Sequence, residues 1–188
     1  MSAPVSVPSA FAARRSRLST AFSGPALFVS GLSRPRNFAG NRYPFRAESH
    51  FLYFLGRPIE GSALLVEPGG ATLFAPWPDP EAELWGGKQP SLDDLSRELE
   101  IEVRPIEEFK TQDELATLPA QDAESSIWQS ELIGREIMHG SGFELEGRDR
   151  ALGDAVIDLR LCHDDAAITQ LRFAALVAER AHRAGMRG

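Results

Sequence analysis

The sequence predicts an α/β domain built on a mixed β-sheet flanked by helices, and three observations lead there. Ala26-Leu27-Phe28-Val29-Ser30 is a nearly unbroken apolar run of strand length, which suits a strand covered on both faces. Ser62 to Val66 and Ala71 to Ala75 read as two strands joined by Glu67-Pro68-Gly69-Gly70, a turn-forming link that makes them a hairpin. Beyond the hairpin, helical and extended patterns alternate, which indicates an α/β or α+β domain with a mixed sheet.

The elements follow in order. Ser9 is a candidate N-cap for a helix over Ala10 to Thr20, where Phe11, Leu18 and Phe22 recur at roughly helical intervals and the arginines face solvent. Residues 1–10, rich in Ser, Pro and Ala, are expected to be flexible. After the Ala26 strand, Gly31 to Asn41 mixes Arg34, Arg36 and Asn37 with Pro35 and Gly40, a composition that presents donors rather than one that packs. His50 to Leu55 reads as a strand ended by Gly56. Beyond the hairpin, a short helical piece carries Glu81, Glu83 and Trp85. Ser91 opens a helix to Leu99 with Asp94 as an acidic variant of the capping box. Glu100 to Arg104 is read as a strand, Ile106 to Leu118 as a helix and Ser126 to Gln129 as a strand, while Gly140, Gly142 and Gly147 mark loops or helix ends.

The last element has the clearest helical pattern. Asp164 is a natural N-cap, Asp165 lies in the first turn, and Arg180, His182 and Arg183 lie in the last, the charge order a helix dipole favours. Gly185 is the expected C-terminal cap. Ile168, Leu171, Ala174, Ala175 and Ala178 form an apolar face with almost no sequence left to cover it. It is expected either to fold back on residues 1–155 or to pair with a second chain. From these patterns, Phe28, Phe51, Tyr53, Leu64, Val66, Leu73 and Phe74 are the expected core.

Composition narrows the function. With 43% hydrophobic residues the chain can form one core, and a net charge of -7 argues against a nucleic-acid partner, which would need a basic surface. No apolar run approaches the roughly 18 residues that cross a bilayer, so neither export nor membrane insertion is expected. A single cysteine, Cys162, allows no internal disulfide and points to a reducing, cytoplasmic compartment.

The residues show no active site of their own. His50, His139, His163 and His182 have no metal-binding spacing, His139-Gly140-Ser141-Gly142 falls short of a nucleophile elbow, and Cys162 has only His163 beside it, where adjacent residues on a chain rarely point at each other. Read without kinship, the sequence is a soluble α/β domain.

The segment Asn41-Arg42-Tyr43-Pro44-Phe45-Arg46-Ala47-Glu48-Ser49-His50-Phe51-Leu52-Tyr53-Phe54-Leu55-Gly56 adds a kinship. It resembles aminopeptidase P N-terminal domains, in which a Tyr-Pro-Phe-Arg loop runs into an aromatic-rich strand ending in Gly. Arg14-Arg15 with Leu18 is similar to the family's first helix, and Glu83-Leu84-Trp85-Gly86-Gly87 to its Glu-x-Trp-x-Gly element. Leu159-Arg160-Leu161, followed by the last helix, resembles the family's join to its catalytic domain. Gly40 stands where many relatives have an acidic residue, His163 at the usual lysine, and Ala166 and Ala167 at the usual glutamates, so contacts from those side chains do not carry over.

The resemblance implies a creatinase-type N-terminal module over residues 1–155, with residues 156–188 as a linker and the first helix of a pita-bread catalytic domain. In the whole enzyme it implies two divalent metals, typically manganese, held by two Asp, one His and two Glu, and peptide substrates with proline in second position. Neither metals nor turnover are expected of this chain alone. Trp85 is the candidate aromatic that closes over substrate, and Arg46 and Arg160 are candidates for orienting the substrate side or for fixing domain geometry. Tyr43 is expected to pack. A homo-oligomer is expected. The alternative is a non-catalytic peptide- or protein-binding module of the same two-domain architecture.

Overall fold

The computed structural model describes residues 7–38, 40–138 and 144–187, without the side chains of Ala82, Trp85 and Gly86. His139 to Gly142 thus lie outside the described residues. The elements run α1 (Pro8–Ala21), β1 (Ala26–Val29), α2 (Ser49–Leu55), β2 (Ala63–Glu67), β3 (Gly70–Ala75), α3 (Pro80–Gly86) and α4 (Leu92–Leu99). They continue with β4 (Glu102–Pro105), a 3-10 turn (Ile106–Glu108), β5 (Ala116–Thr117), α5 (Ala123–Ile133), α6 (Gly147–Arg160) and α7 (Asp165–Gly185).

The sheet is mixed, in the order β4-β3-β2-β1-β5. The hairpin pairs β2 with β3 antiparallel, Leu64 facing Leu73, and β1 lies antiparallel on β2 with Phe28 facing Leu64. β4 and β5 close the two sides as parallel partners of β3 and β1.

Period-two alternation sorts the strands' side chains between two cores. Phe28, Leu64, Val66 and Leu73 pack with Leu18, Phe51, Phe54, Leu95, Leu152 and Val156 from α1, α2, α4 and α6. Leu27, Val29, Leu65 and Phe74 pack with Phe109, Leu115, Ile133 and Ile137 on the other face. Of the expected core residues all are buried except Tyr53, which is partly covered.

Several expectations change. His50 to Leu55 is not a strand but the core of α2, because Phe51, Phe54 and Leu55 stand at helical spacing and all three are buried. Gly56 ends it in the left-handed conformation, φ 84°, and an added Cβ there would collide with the Phe11 ring. The aromatic content favoured a strand, but a strand would have sent its apolar groups to both sides.

The expected helix over Ile106 to Leu118 is a single 3-10 turn followed by loop, because Ala116 and Thr117 pair with the open edge of β1 instead. Ser126 to Gln129 belongs to α5, capped by the Asp122 carboxylate, which accepts from the Ser125 amide. Its buried face is polar at Ser125, Ser126 and Gln129, so an apolar period could not reveal it. Gln129 spans the interior, its Nε2 donating to Thr117 Oγ1 (2.7 Å) and Leu118 O (2.9 Å) and its Oε1 accepting from Ala120 N (3.0 Å).

α1 begins at Pro8, the favoured first helical position, so residues 8–10 are helical and Ser9 is not the cap. Two of its arginines do not face solvent: Arg14 and Arg15 are buried, while Arg17 is exposed. They satisfy carbonyls at the end of α2 that have no helical partner, as Arg15 donates to Phe54 O (2.8 Å) and Arg14 to Tyr53 O (3.0 Å). The Ser91–Asp94 capping box forms. α7 does not fold back on the body, since it buries no side chain, and Gly185 is its last residue rather than a cap beyond it.

Candidate functional site

The polar groups converge where the end of α6 and the start of α7 meet α1 and α2. Arg14, one turn and a half into α1, projects between α2 and α7. Its Nε and Nη2 grip the two carboxylate oxygens of Asp164 at 2.7 and 2.9 Å, its Nη1 holds Tyr53 O, and its plane lies 4.6 Å from the Tyr53 ring centre. A two-pronged guanidinium–carboxylate pair of this kind fixes orientation as well as charge.

Asp164 does two things. It pairs with Arg14, with Arg17 nearby, and its Oδ1 accepts the Ala167 amide, capping α7. The hydrogen bond from Arg14 holds its carboxyl down at about 2 against the opposing effect of burial, with the Ala167 amide adding a lesser pull downward.

Tyr53 closes the other side by donating its hydroxyl to Leu159 O (3.1 Å) near the end of α6. Beside it Arg160 Nη1 lies 3.0 Å from His50 Nδ1. Burial, and then the neighbouring Arg160 charge, push His50 down to about 4, so the ring is neutral at pH 7 and its Nδ1 accepts from Arg160. Arg160 is therefore an inter-helix contact in this structure, joining α6 to α2.

The second region is a cleft beside the Tyr43 loop, lined by Arg34, Tyr43, Arg46, Glu48, Gln121 and Asp122. Pro35 bridges Arg42, Arg36 N donates to Asn41 O and Tyr43 N to Arg34 O, so residues 34–36 and 41–43 run antiparallel beside one another. Tyr43 does not pack inside: it is exposed and stacks under Arg36, 4.8 Å from the guanidinium. Arg46 is exposed at the cleft. Glu48 receives the Gln121 amide (2.9 Å), and burial raises its pKa.

The candidate residues are not all gathered in one place. Arg46 and Arg160 border the start of α2 from different elements and line no shared cleft. Trp85 lies in α3, and its side chain is outside the described residues. No three His, Cys, Asp or Glu side chains among the described residues come close enough to hold a metal ion. Cys162 is exposed and unpaired. The residues that reasoning from sequence missed are Arg14 and Tyr53. Asp164 was legible as a cap, but its partner stands 150 positions away.

A model of the family described as aminopeptidase P, N-terminal domain, matches residues 11–128, more than half of the chain. The chain belongs to this family. Xaa-Pro aminopeptidase 2 of Streptomyces coelicolor is 27% identical to it over 185 residues, an alignment covering 87% of this chain and 36% of that protein.

Among solved structures, aminopeptidase P from E. coli with the inhibitor Pro-Leu superposes with a TM-score of 0.57 at 21% identity, over 69% of this chain and 32% of that one. A zinc-substituted form of the E. coli protein in complex with product gives 0.57 at 19%, over 71% and 33%. At such identities these structures show the fold alone, and the mixed sheet with flanking helices is that fold. The chain spans about a third of the length of the relatives it matches. α6 and α7 lie beyond the stretch the family model covers.

Proposed function

We propose that this chain is the N-terminal, non-catalytic domain of a metal-dependent Xaa-Pro aminopeptidase, where it serves oligomerisation and access of substrate. The family match over residues 11–128 carries the reading. The reaction of the whole enzyme is hydrolysis of the peptide bond before proline, in which water adds to the carbonyl and the proline nitrogen leaves. Two divalent metals, manganese in this reading, belong to the catalytic domain. The described residues of this chain do not fit a metal centre, and no catalytic step is assigned to them.

The division between domains is proposed at the turn around Leu161 to Asp164. α6 runs unbroken past residue 155 with Val156 buried in the core, while α7 buries nothing and starts on the Arg14–Asp164 clamp. On this reading α7 is the first helix of the catalytic domain, and the clamp sets the direction in which that domain leaves. Trp85 is assigned to the substrate entrance, with Arg46 and Arg160 orienting its rim. A cytoplasmic setting agrees with the lone, unpaired Cys162.

Incubation of the purified chain with an Xaa-Pro peptide, with and without manganese, is the direct test. No release of the first residue is expected, and metal-dependent release would overturn the non-catalytic reading. In a longer protein carrying this domain ahead of a catalytic one, Trp85→Ala and Arg160→Ala are expected to raise KM for Xaa-Pro peptides, Trp85→Ala without lowering the melting temperature. An unchanged KM in both would remove the substrate-access role.

A further inference from the structure

Trp77 belongs to neither core and has no part in the function proposed above. It is 61% exposed, and it stands in a cleft of about 700 Å³ where buried Leu95 and half-buried Ile59 reach the lining. A cleft of this size with an apolar lining has the dimensions of a ligand site. Pro76 and Pro78 flank the ring. They fix φ on either side and keep Trp77 extended, so the ring is mounted on stiff backbone.

The wall restricts what can dock. Pro58, Pro76, Pro78 and Pro90 all line it, and none has an amide N–H to offer. Two further lining amides are already spent, Gly61 N on Gly31 O and Gln89 N on Glu83 Oε1. An added β-strand would therefore find little to pair with. A polyproline II segment asks for no such ladder, because its main chain stays solvated. What it does need is a flat aromatic face for its pyrrolidine rings, and Trp77 supplies one.

Charge selects further. Two arginines line the cleft and both are matched, Arg42 by Glu60 and Arg57 by Glu98. Asp79 is the lining carboxylate left over. Its Oδ1 accepts the Glu81 amide at the start of α3, and among the described residues it pairs with no cation. Residues 79–95, which supply that side, carry five carboxylates and one lysine. Such a rim attracts a cation and repels anionic lipid or nucleic acid.

We propose that this cleft binds a proline-rich segment of another protein in polyproline II form, its prolines stacked on Trp77 and an arginine or lysine beside Asp79. A segment of this kind is extended before it binds, so little order is lost on docking. The binding needs no catalytic domain, and it goes beyond the peptidase reading without resting on it.

The test is fluorescence anisotropy of a labelled, end-blocked peptide, Pro-Pro-Leu-Pro-Pro-Arg, titrated with the purified chain. Versions ending in Gln or Glu, and one with every proline replaced by alanine, are run beside it. The Arg peptide is expected to bind most tightly, the Gln peptide more weakly and the Glu peptide least. Trp77→Ala is expected to lower affinity about tenfold or more. Asp79→Asn, which keeps a good helix cap, is expected to erase the preference for Arg over Gln and leave the Gln peptide unchanged. Both side chains are exposed, so unaltered circular dichroism and melting are expected of the variants.

No binding at about 1 mM chain would overturn the inference. Binding that Trp77→Ala leaves untouched would remove it from this cleft, and a preference for the Glu peptide or equal binding of the alanine peptide would refute its chemistry. A chain that sediments as a dimer, split by Trp77→Ala, would also overturn it, because a second copy would then cover the cleft.

Discussion

α6 and α7 are successive helices with opposite fates. α6 has 14 residues and buries Leu152, Gly153 and Val156 against the sheet, while α7 has 21 residues and buries none. Local signals do not explain this, since α7 is the better capped of the two, with Asp164 at its start and His182 and Arg183 at its end. The difference lies in what is available to cover each face. α6 lies over β5 and α1, whereas no residue of α7 is fully buried and Leu171 is half exposed. Helical propensity makes a helix, and packing decides whether that helix is part of the core.

The contrast can be broken most severely at Leu152, which is fully buried. Leu152→Ala is expected to lower stability by about 2–5 kcal/mol in urea unfolding, through lost burial and the cavity left behind. A loss below about 1 kcal/mol would mean that α6 is not part of the cooperative core.

Next is the clamp that joins the two regions. Arg14→Ala removes a charged, two-pronged hydrogen bond and the contact to Tyr53 O, and is expected to cost about 2–3 kcal/mol. Hydrogen exchange should quicken in the first turn of α7 and leave the β2–β3 hairpin protected. Unchanged protection at Ala167 and Ile168 would show that Asp164 caps the helix without help from α1.

Acid should act on the same junction. His50 titrates at about 4 in the folded chain against an ordinary 6.5, so on acidification the unfolded chain takes up this proton first. Stability from this group is therefore full above pH 6.5 and falls as pH drops towards 4, by about 1–2 kcal/mol. His50→Gln should flatten that part of the profile. Asp164 adds a lower step, because its carboxyl is held at about 2 against 3.8, and its contribution is lost as pH falls between those values. A stability profile flat from pH 7 to 4 would show that His50 is not desolvated by α6.

The smallest effect is expected at Leu171→Ala, within about 0.5 kcal/mol for the isolated chain, because an exposed side chain loses no burial. A loss near that of Leu152→Ala would mean that α7 is covered in solution.

Much of this was legible in the chain. The hairpin, the β1 strand, the capping box of α4 and the start of α7 each depend on residues within a few positions of one another, and each forms. The Tyr43 to Gly56 block marked the family, but its secondary structure was misread, because aromatic residues favour strands while the spacing of Phe51, Phe54 and Leu55 favours a helix. α5 was hidden because its buried face is made of Ser125, Ser126 and Gln129, whose interior place depends on Thr117 and Ala120.

The sequence by itself determined the family, the mixed α/β class and the helical character of α7, since these rest on local pattern and short-range capping. Only the tertiary structure decided that Arg14 and Arg15 are interior cations, that Ala116 and Thr117 extend the sheet, and that Asp164 is gripped from α1. In each case an open sheet edge or an unsatisfied carbonyl or carboxylate is completed by a group far along the chain. Such a pairing exists only once the chain has folded and desolvation makes leaving either partner alone costly.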